Sequence, residues 1–88
     1  MIPYADQINK PSEEEVFDFY IKEIEDQFNY AVVAYHKVFK YTVLYCIHHS
    51  NYVTKELYKF FQSRGYDVYT EEVGTGVEFT IYLTYSLS

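Results

Sequence analysis

The candidate soft metal ligands of this sequence are His36, Cys46, His48 and His49, and Cys46 is also its one possible thiolate nucleophile. Structural zinc sites take their ligands in pairs at recurring spacings. The Cys-x-His-His run contains no such pair, and adjacent histidines after a strand are typical of a loop that leads into a helix. We therefore expect no metal ion and no other cofactor.

Nucleophilic catalysis needs a base within hydrogen-bond reach of the nucleophile and a third group that orients the base. Cys46 and His48 are alternate residues, so on an extended strand they point the same way without meeting, and no third group is evident. We interpret Cys46 as a small apolar residue buried in a strand.

Glycines and carboxylates near the end of the chain form a second candidate. Gly74-x-Gly76 lies between two strands and precedes no helix, so it predicts a turn and not a phosphate-binding loop. Glu71 and Glu72 adjoin that turn, without the second carboxylate across a cleft that glycoside hydrolysis needs. The sequence therefore predicts that the protein is not an enzyme, unless a site is shared between subunits.

The balance of charge narrows the classes of partner. The sequence of 88 residues has 13 Asp and Glu against 7 Lys and Arg, a formal net charge of -6. Binding to phosphate backbones needs clustered Lys and Arg, so we expect no direct contact with nucleic acid. An acidic chain suits a basic protein surface, including imitation of DNA, although acidity is also an ordinary means of solubility.

Cysteine usage and hydropathy indicate the compartment. A single cysteine allows no intramolecular disulfide, which fits a reducing compartment. No apolar stretch reaches the length of about 18 residues that a membrane span needs, so we expect no membrane contact. We expect a cytosolic protein, and the same features fit a viral protein made in the cytoplasm of a host cell.

Two helices are indicated. Ser12 to Glu15 has the form of a capping box, and the three glutamates suit a helix start better than a metal or catalytic site. Helical spacing continues to about His36 or Val38, although residues 30–35 also fit a strand. The second helix is capped by Ser50 and ends at Gly65. The apolar positions of the two helices are Phe17, Ile21, Ile24, Phe28, Ala31, Val32 and Tyr35, and Val53, Leu57, Phe60 and Phe61.

Three strands are predicted over 41–47, 66–71 and 77–85, the last two joined as a hairpin by the two glycines. In the last strand, alternate residues from Val77 to Tyr85 share an apolar face. The fold class is α+β, with two helices packed on one face of a small three-stranded mixed sheet, in the order helix-strand-helix-strand-strand. We expect an N-terminal arm over 1–11 and a single domain over 12–88.

The order of strands in the sheet follows from the connections. A strand-helix-strand crossover makes the first two strands parallel. The last strand would then insert between them and run antiparallel to both, although the hairpin could also lie wholly at one side. The sheet face away from the helices would show Tyr69, Thr80 and Tyr82, with Tyr45 or Cys46 as further candidates.

The segment Phe61-Gln62-Ser63-Arg64-Gly65-Tyr66-Asp67-Val68, followed by Phe79-Thr80-Ile81-Tyr82, resembles small α/β proteins of tailed bacteriophages. In those proteins an amphipathic helix ends in an apolar-x-x-x-Gly-Tyr-x-Val stretch, and a closing strand follows. The resemblance covers about the last half of the chain. It implies a phage origin, as a virion component or as an early protein that acts on the host, and it transfers no site residue.

Two hypotheses of function follow. The first is a non-enzymatic, phage-type protein that self-associates or docks on a larger assembly through Tyr69, Thr80 and Tyr82, a free strand edge or the N-terminal arm. The second is an acidic inhibitor of a host enzyme or of a nucleic-acid-binding protein, acting as a DNA mimic or against host defence. Its charge would come from the first helix, through Glu13, Glu14, Glu15, Asp18, Glu25 and Asp26.

Overall fold

The computed structural model describes residues 10–85, which form two helices and three strands in the predicted order. The elements are α1 (Glu13–Val33), β1 (Val38–Leu44), α2 (Ser50–Ser63), β2 (Val68–Val73) and β3 (Gly76–Tyr82). Most of the predicted arm, residues 1–9, lies outside the described residues. The α+β class with two helices against a three-stranded sheet is confirmed.

The sheet has the order β1-β3-β2, which confirms that the last strand inserts between the other two. Both pairings are antiparallel. The sheet is therefore antiparallel between all neighbours, whereas we had predicted a mixed sheet. The outer strands β1 and β2 run in the same direction, but β3 separates them.

Helix α1 begins as predicted and ends earlier than predicted. The Ser12 hydroxyl accepts a hydrogen bond from the Glu15 backbone N–H at 3.2 Å. The helix stops at Val33 because Tyr35 takes a left-handed conformation with φ 58°, and the His36 N–H then bonds back to the Ala31 carbonyl at 2.9 Å. This closing pattern is a Schellman motif. The strand alternative for residues 30–35 is wrong, because the helix continues to Val33.

Strand β1 lies three residues earlier than the predicted span of 41–47. Its bounds follow its partner, because Val38 pairs with Tyr82 and Leu44 pairs with Gly76, where β3 begins. Cys46 therefore comes after the strand and is exposed. The prediction of a buried strand cysteine is wrong.

Helix α2 is capped by His49 and not by Ser50. His49 has φ 56°, and no side chain forms a cap hydrogen bond there. At the other end Gly65 has φ +84°, and the Tyr66 N–H bonds to the Phe61 carbonyl at 3.2 Å. The predicted glycine stop is confirmed.

The core lies between the helices and one face of the sheet. Leu57, Phe79 and Ile81 are fully buried at 0% exposure, and Phe28 packs its ring against Phe39 and Phe61. The other buried core residues are Val16, Ile24, Ala31, Val43 and Val53. Val32 and Tyr35, which we had placed on the apolar side of α1, are exposed.

The hairpin strands are also displaced, to Val68–Val73 and Gly76–Tyr82, because their bounds follow the shared register. Gly76 serves close packing, since a Cβ at this position would overlap the Val43 carbonyl of β1. A residue that was predicted to supply a turn thus also lets two strands approach.

Candidate protein-binding surface

One face of the sheet packs against the helices, and none of the elements within residues 10–85 packs on the other face. We call this second surface the open face. Strand alternation and the pairing register decide which side chains it carries. They are Val38, Lys40, Thr42 and Leu44 from β1, Gly76, Glu78, Thr80 and Tyr82 from β3, and Tyr69, Glu71 and Val73 from β2.

The predicted tyrosines meet on the open face. Tyr69 pairs directly with Thr80, and its ring lies edge to face against the ring of Tyr82, with centroids 5.4 Å apart and planes at 85°. Tyr69 is 59% exposed and Tyr82 is 49% exposed. Paired aromatic rings that keep half of their surface in water are typical of residues that become buried on association.

The rest of the open face carries charges that sequence reasoning missed. The Lys40 ammonium lies 3.9 Å from the Glu78 carboxylate, and Glu71 lies directly opposite Glu78 in the pairing of β2 with β3. Like charges directly opposite each other destabilise a strand pair. The register that places these residues together could not be known before the strand order was known.

Both outer strands present backbone groups away from the sheet. Hydrogen bonds from the Leu83 N–H to the Lys37 carbonyl and from the Tyr45 N–H to the Thr75 carbonyl, both 2.9 Å, frame the pairing of β1 with β3. Because backbone direction alternates along an antiparallel ladder, the N–H and C=O of Val38, Lys40 and Thr42 point outward from β1, and those of Val68, Thr70 and Glu72 point outward from β2. No strand within residues 10–85 pairs with either outer side.

A groove follows each outer strand. The first lies between α1 and β1, where Asp26, Tyr30 and Lys40 are among the lining residues. The second lies between α2 and β2, and is lined by Lys55, Tyr58, Lys59 and Thr70, with Thr54. Each edge of the sheet is therefore a strand with a helix wall behind it.

The predicted acidic residues form a separate surface at the start of α1. Glu13, Glu14, Glu15 and Asp18 are all exposed, and α1 packs on the helix side of the sheet, so these residues do not join the tyrosines. Burial, followed by the carboxylates of nearby acidic residues, raises the pKa of Tyr52 near the start of α2. Those residues are Glu56, Glu14, Glu13 and Asp18, in order of decreasing effect. Carboxylates from both helices therefore converge at this end of the molecule.

The histidines and the cysteine do not form a site within residues 10–85. The His48 and His49 rings are 6.5 Å apart, and His49 Nε2 lies 3.1 Å from the Pro11 carbonyl oxygen. No group of three or more His, Cys, Asp or Glu side chains in this part of the chain is arranged to hold a metal ion.

No family model matches the chain, and searches of curated proteins and of solved structures find no significant match. Neither helix of residues 10–85 is long and apolar enough to cross a membrane. The resemblance of the second half to phage proteins therefore remains a prediction.

Proposed function

We propose that this chain is a non-enzymatic assembly protein that binds copies of itself or docks on a larger protein assembly through the open face of its sheet. The observation that carries the proposal is a sheet with helices on one side only and a tyrosine pair on the other side. Tyr69 and Tyr82 supply a large contact area with few rotatable bonds.

The surroundings of the tyrosine pair support a protein partner over a small ligand. The open face is a strand surface and not a deep cavity, and it combines apolar side chains such as Leu44, which is 41% exposed, with the polar Thr80 and the charged Lys40 and Glu78. Exposed aromatic side chains together with polar ones are common in protein interfaces.

The proposal includes a phage-type role, as a virion component or in the cytoplasm of a host cell. The support for this part is the resemblance of residues 61–68 and 79–82 to small phage proteins. In the fold these segments are the end of α2, the left-handed Gly65, the start of β2 and part of β3. The net charge of -6 argues against direct binding to nucleic acid.

The test is a double variant, Tyr69→Ser with Tyr82→Ser, compared with the wild-type chain by sedimentation velocity. We expect the variant to lose association while its far-ultraviolet circular dichroism stays unchanged, because both side chains are outside the core. The matched control is Phe19→Ser, since Phe19 is 66% exposed on α1 and lies outside the open face and outside both edge grooves. Association that survives in the double variant would reject the open face as the contact.

A second candidate function is inhibition of a host protein that has a basic binding site. The convergence of Glu13, Glu14, Asp18 and Glu56 around Tyr52 favours it, because it concentrates negative charge at one end. Such a complex would weaken as salt rises, since ions screen exposed charges beyond about 10 Å at 0.1 M. A complex with a basic partner that persists unchanged in high salt would contradict this candidate.

A further inference from the structure

The two edges of the sheet carry opposite charges. Lys40 lies in β1 and Lys37 precedes it, whereas β2 contains Glu71 and Glu72 and follows Asp67. All five side chains are exposed. One edge of the sheet is therefore basic and the other is acidic.

The helix layer repeats this asymmetry with the signs exchanged. Behind the basic β1 edge, the wall of α1 carries Asp26, and burial, followed by the Glu23 carboxylate of α1, raises the pKa of the Tyr41 hydroxyl. Behind the acidic β2 edge, the wall of α2 carries Lys55 and Lys59. The edge surfaces match each other in both layers, with opposite charge in the strand layer and opposite charge in the helix layer.

We propose that copies of this chain join edge to edge, with the β2 edge of one copy against the β1 edge of the next, so that the sheet and the helix layer continue from copy to copy. The inference goes beyond the proposed function, because it adds a contact at these two edges to the contact through the open face, and it rests on the proposed function in taking a second copy as the partner. Outer strands of the same direction make the junction parallel when the helices stay on one side.

The alternation of backbone groups limits the register of this junction. In a parallel pair the outward residues of one strand lie between those of the other. Of the registers that this rule allows, the one that pairs opposite charges sets Glu71 level with Lys40 of the next copy, and Thr70 then lies level with Phe39. The same register sets Tyr69 beside Val38, two side chains of the open face. Hydrogen bonds, an ion pair and an apolar contact therefore form together.

The junction also offsets a charge repulsion within each copy. Glu71 faces Glu78 across the β2–β3 pair, and these like charges repel. Lys40 of the next copy, arriving on the other side of Glu71, supplies the missing positive charge. In the joined sheet Glu78 then has the diagonal Lys40 of its own copy on one side, and Glu71 has Lys40 of the next copy on the other.

Symmetric pairing of identical edges does not share these advantages. Two β1 edges would bring Lys40 toward Lys40 and Asp26 toward Asp26, and two β2 edges would do the same to Glu71 and Lys55. Each arrangement sets like charges together in both layers. The charges therefore favour a head-to-tail contact, which leaves an unused edge at each end and grows into a closed ring or an open filament.

The test uses two variants that each reverse one edge, Lys40→Glu and Glu71→Lys, with association measured by sedimentation equilibrium. We expect each variant alone to associate at least about tenfold more weakly than the wild type, because an attractive pair becomes a repulsive one at every junction. An equal mixture of the two should associate as strongly as the wild type, since each edge then meets an opposite charge. Lys22→Glu and Glu25→Lys, at exposed positions of α1, are controls with the same change of net charge.

The outcomes separate the inference from the proposed function. A wild-type chain that stays monomeric at all concentrations overturns the edge junction and the self-association in the proposed function, and leaves only docking on a larger assembly. A wild-type chain that associates while the edge variants behave like their controls, or while the mixture fails to recover, overturns the edge junction alone. If Lys40→Glu loses its circular dichroism signal because it sets a second carboxylate near Glu78, Lys40→Thr tests the same edge without that carboxylate.

Discussion

The β1 edge and the β2 edge belong to the same sheet, yet they differ in charge and in how far the helices bury them. β1 includes the buried Phe39 and Val43 on its helix side, whereas on the helix side of β2 Val68 is only partly buried and Thr70 and Glu72 are exposed. The helix layer therefore covers the β2 edge less completely than the β1 edge. Proteins often place charge on edge strands to prevent pairing. Opposite charges on the two edges of one chain instead favour pairing of the β2 edge with the β1 edge and oppose pairing of two identical edges.

The largest expected effect is on stability and comes from a substitution in β3, the central strand of the sheet. Phe79 lies in β3 and is 0% exposed, so Phe79→Ala should lower the free energy of unfolding by about 3 to 5 kcal/mol through lost burial and a residual cavity. Urea unfolding measures this loss. Thr80→Ala, on the open face, is the control, and a comparable loss in both variants would contradict the assignment of the two faces.

A smaller effect is expected from removing one outward N–H at the β2 edge. Thr70→Pro deletes a donor that points away from β3, so the chain should stay folded while association weakens at least about tenfold. Tyr69→Pro deletes an inward donor of the same strand and should lower stability as well. Light scattering and thermal unfolding of both variants make the comparison. Equal behaviour of the two prolines would show that the outward direction of Thr70 is wrong.

The smallest effect concerns Tyr41, a half-buried residue on the helix side of β1, whereas Thr70 at the same level of β2 is exposed. Burial, then the Glu23 carboxylate, then Tyr20, raise the pKa of Tyr41 from 10.0 to about 12. The neutral hydroxyl is therefore favoured in the folded state. Its contribution to stability is complete below pH 10 and is lost as pH rises from there toward about 12. Tyr41→Phe should remove this part of the alkaline loss, as measured by the free energy of unfolding on either side of pH 10. A variant with the wild-type alkaline slope would contradict the assignment.

The order of elements and the strand order could be predicted because they depend on patterns within short segments. The ends of the two helices show where such prediction stops. Both close with the same backbone pattern, but α2 uses Gly65 and α1 uses Tyr35 at the left-handed position. A non-glycine residue in this conformation costs about 1 to 2 kcal/mol, so the sequence predicts the end of α2 at Gly65 but not the end of α1 at Tyr35.

Contacts between residues distant in sequence stabilise the end of α1. The Tyr35 ring lies 5.3 Å from the Tyr85 ring, and the Tyr85 hydroxyl donates to the His36 carbonyl at 2.7 Å. No local pattern joins residues 35 and 85. The charged edges are a similar case, because Lys40, Glu71 and Glu72 are visible in the sequence but become edge residues only once β3 lies between β1 and β2.

The most direct test of the account is the mass of the wild-type chain in solution, measured by size-exclusion chromatography with light scattering across a wide range of protein concentrations. Head-to-tail joining predicts a mass that rises past twice the 10.6 kDa of the chain, to a ring of fixed size or to a continuing series. A mass that stays at that of one chain, or that stops at a symmetric dimer, would contradict it.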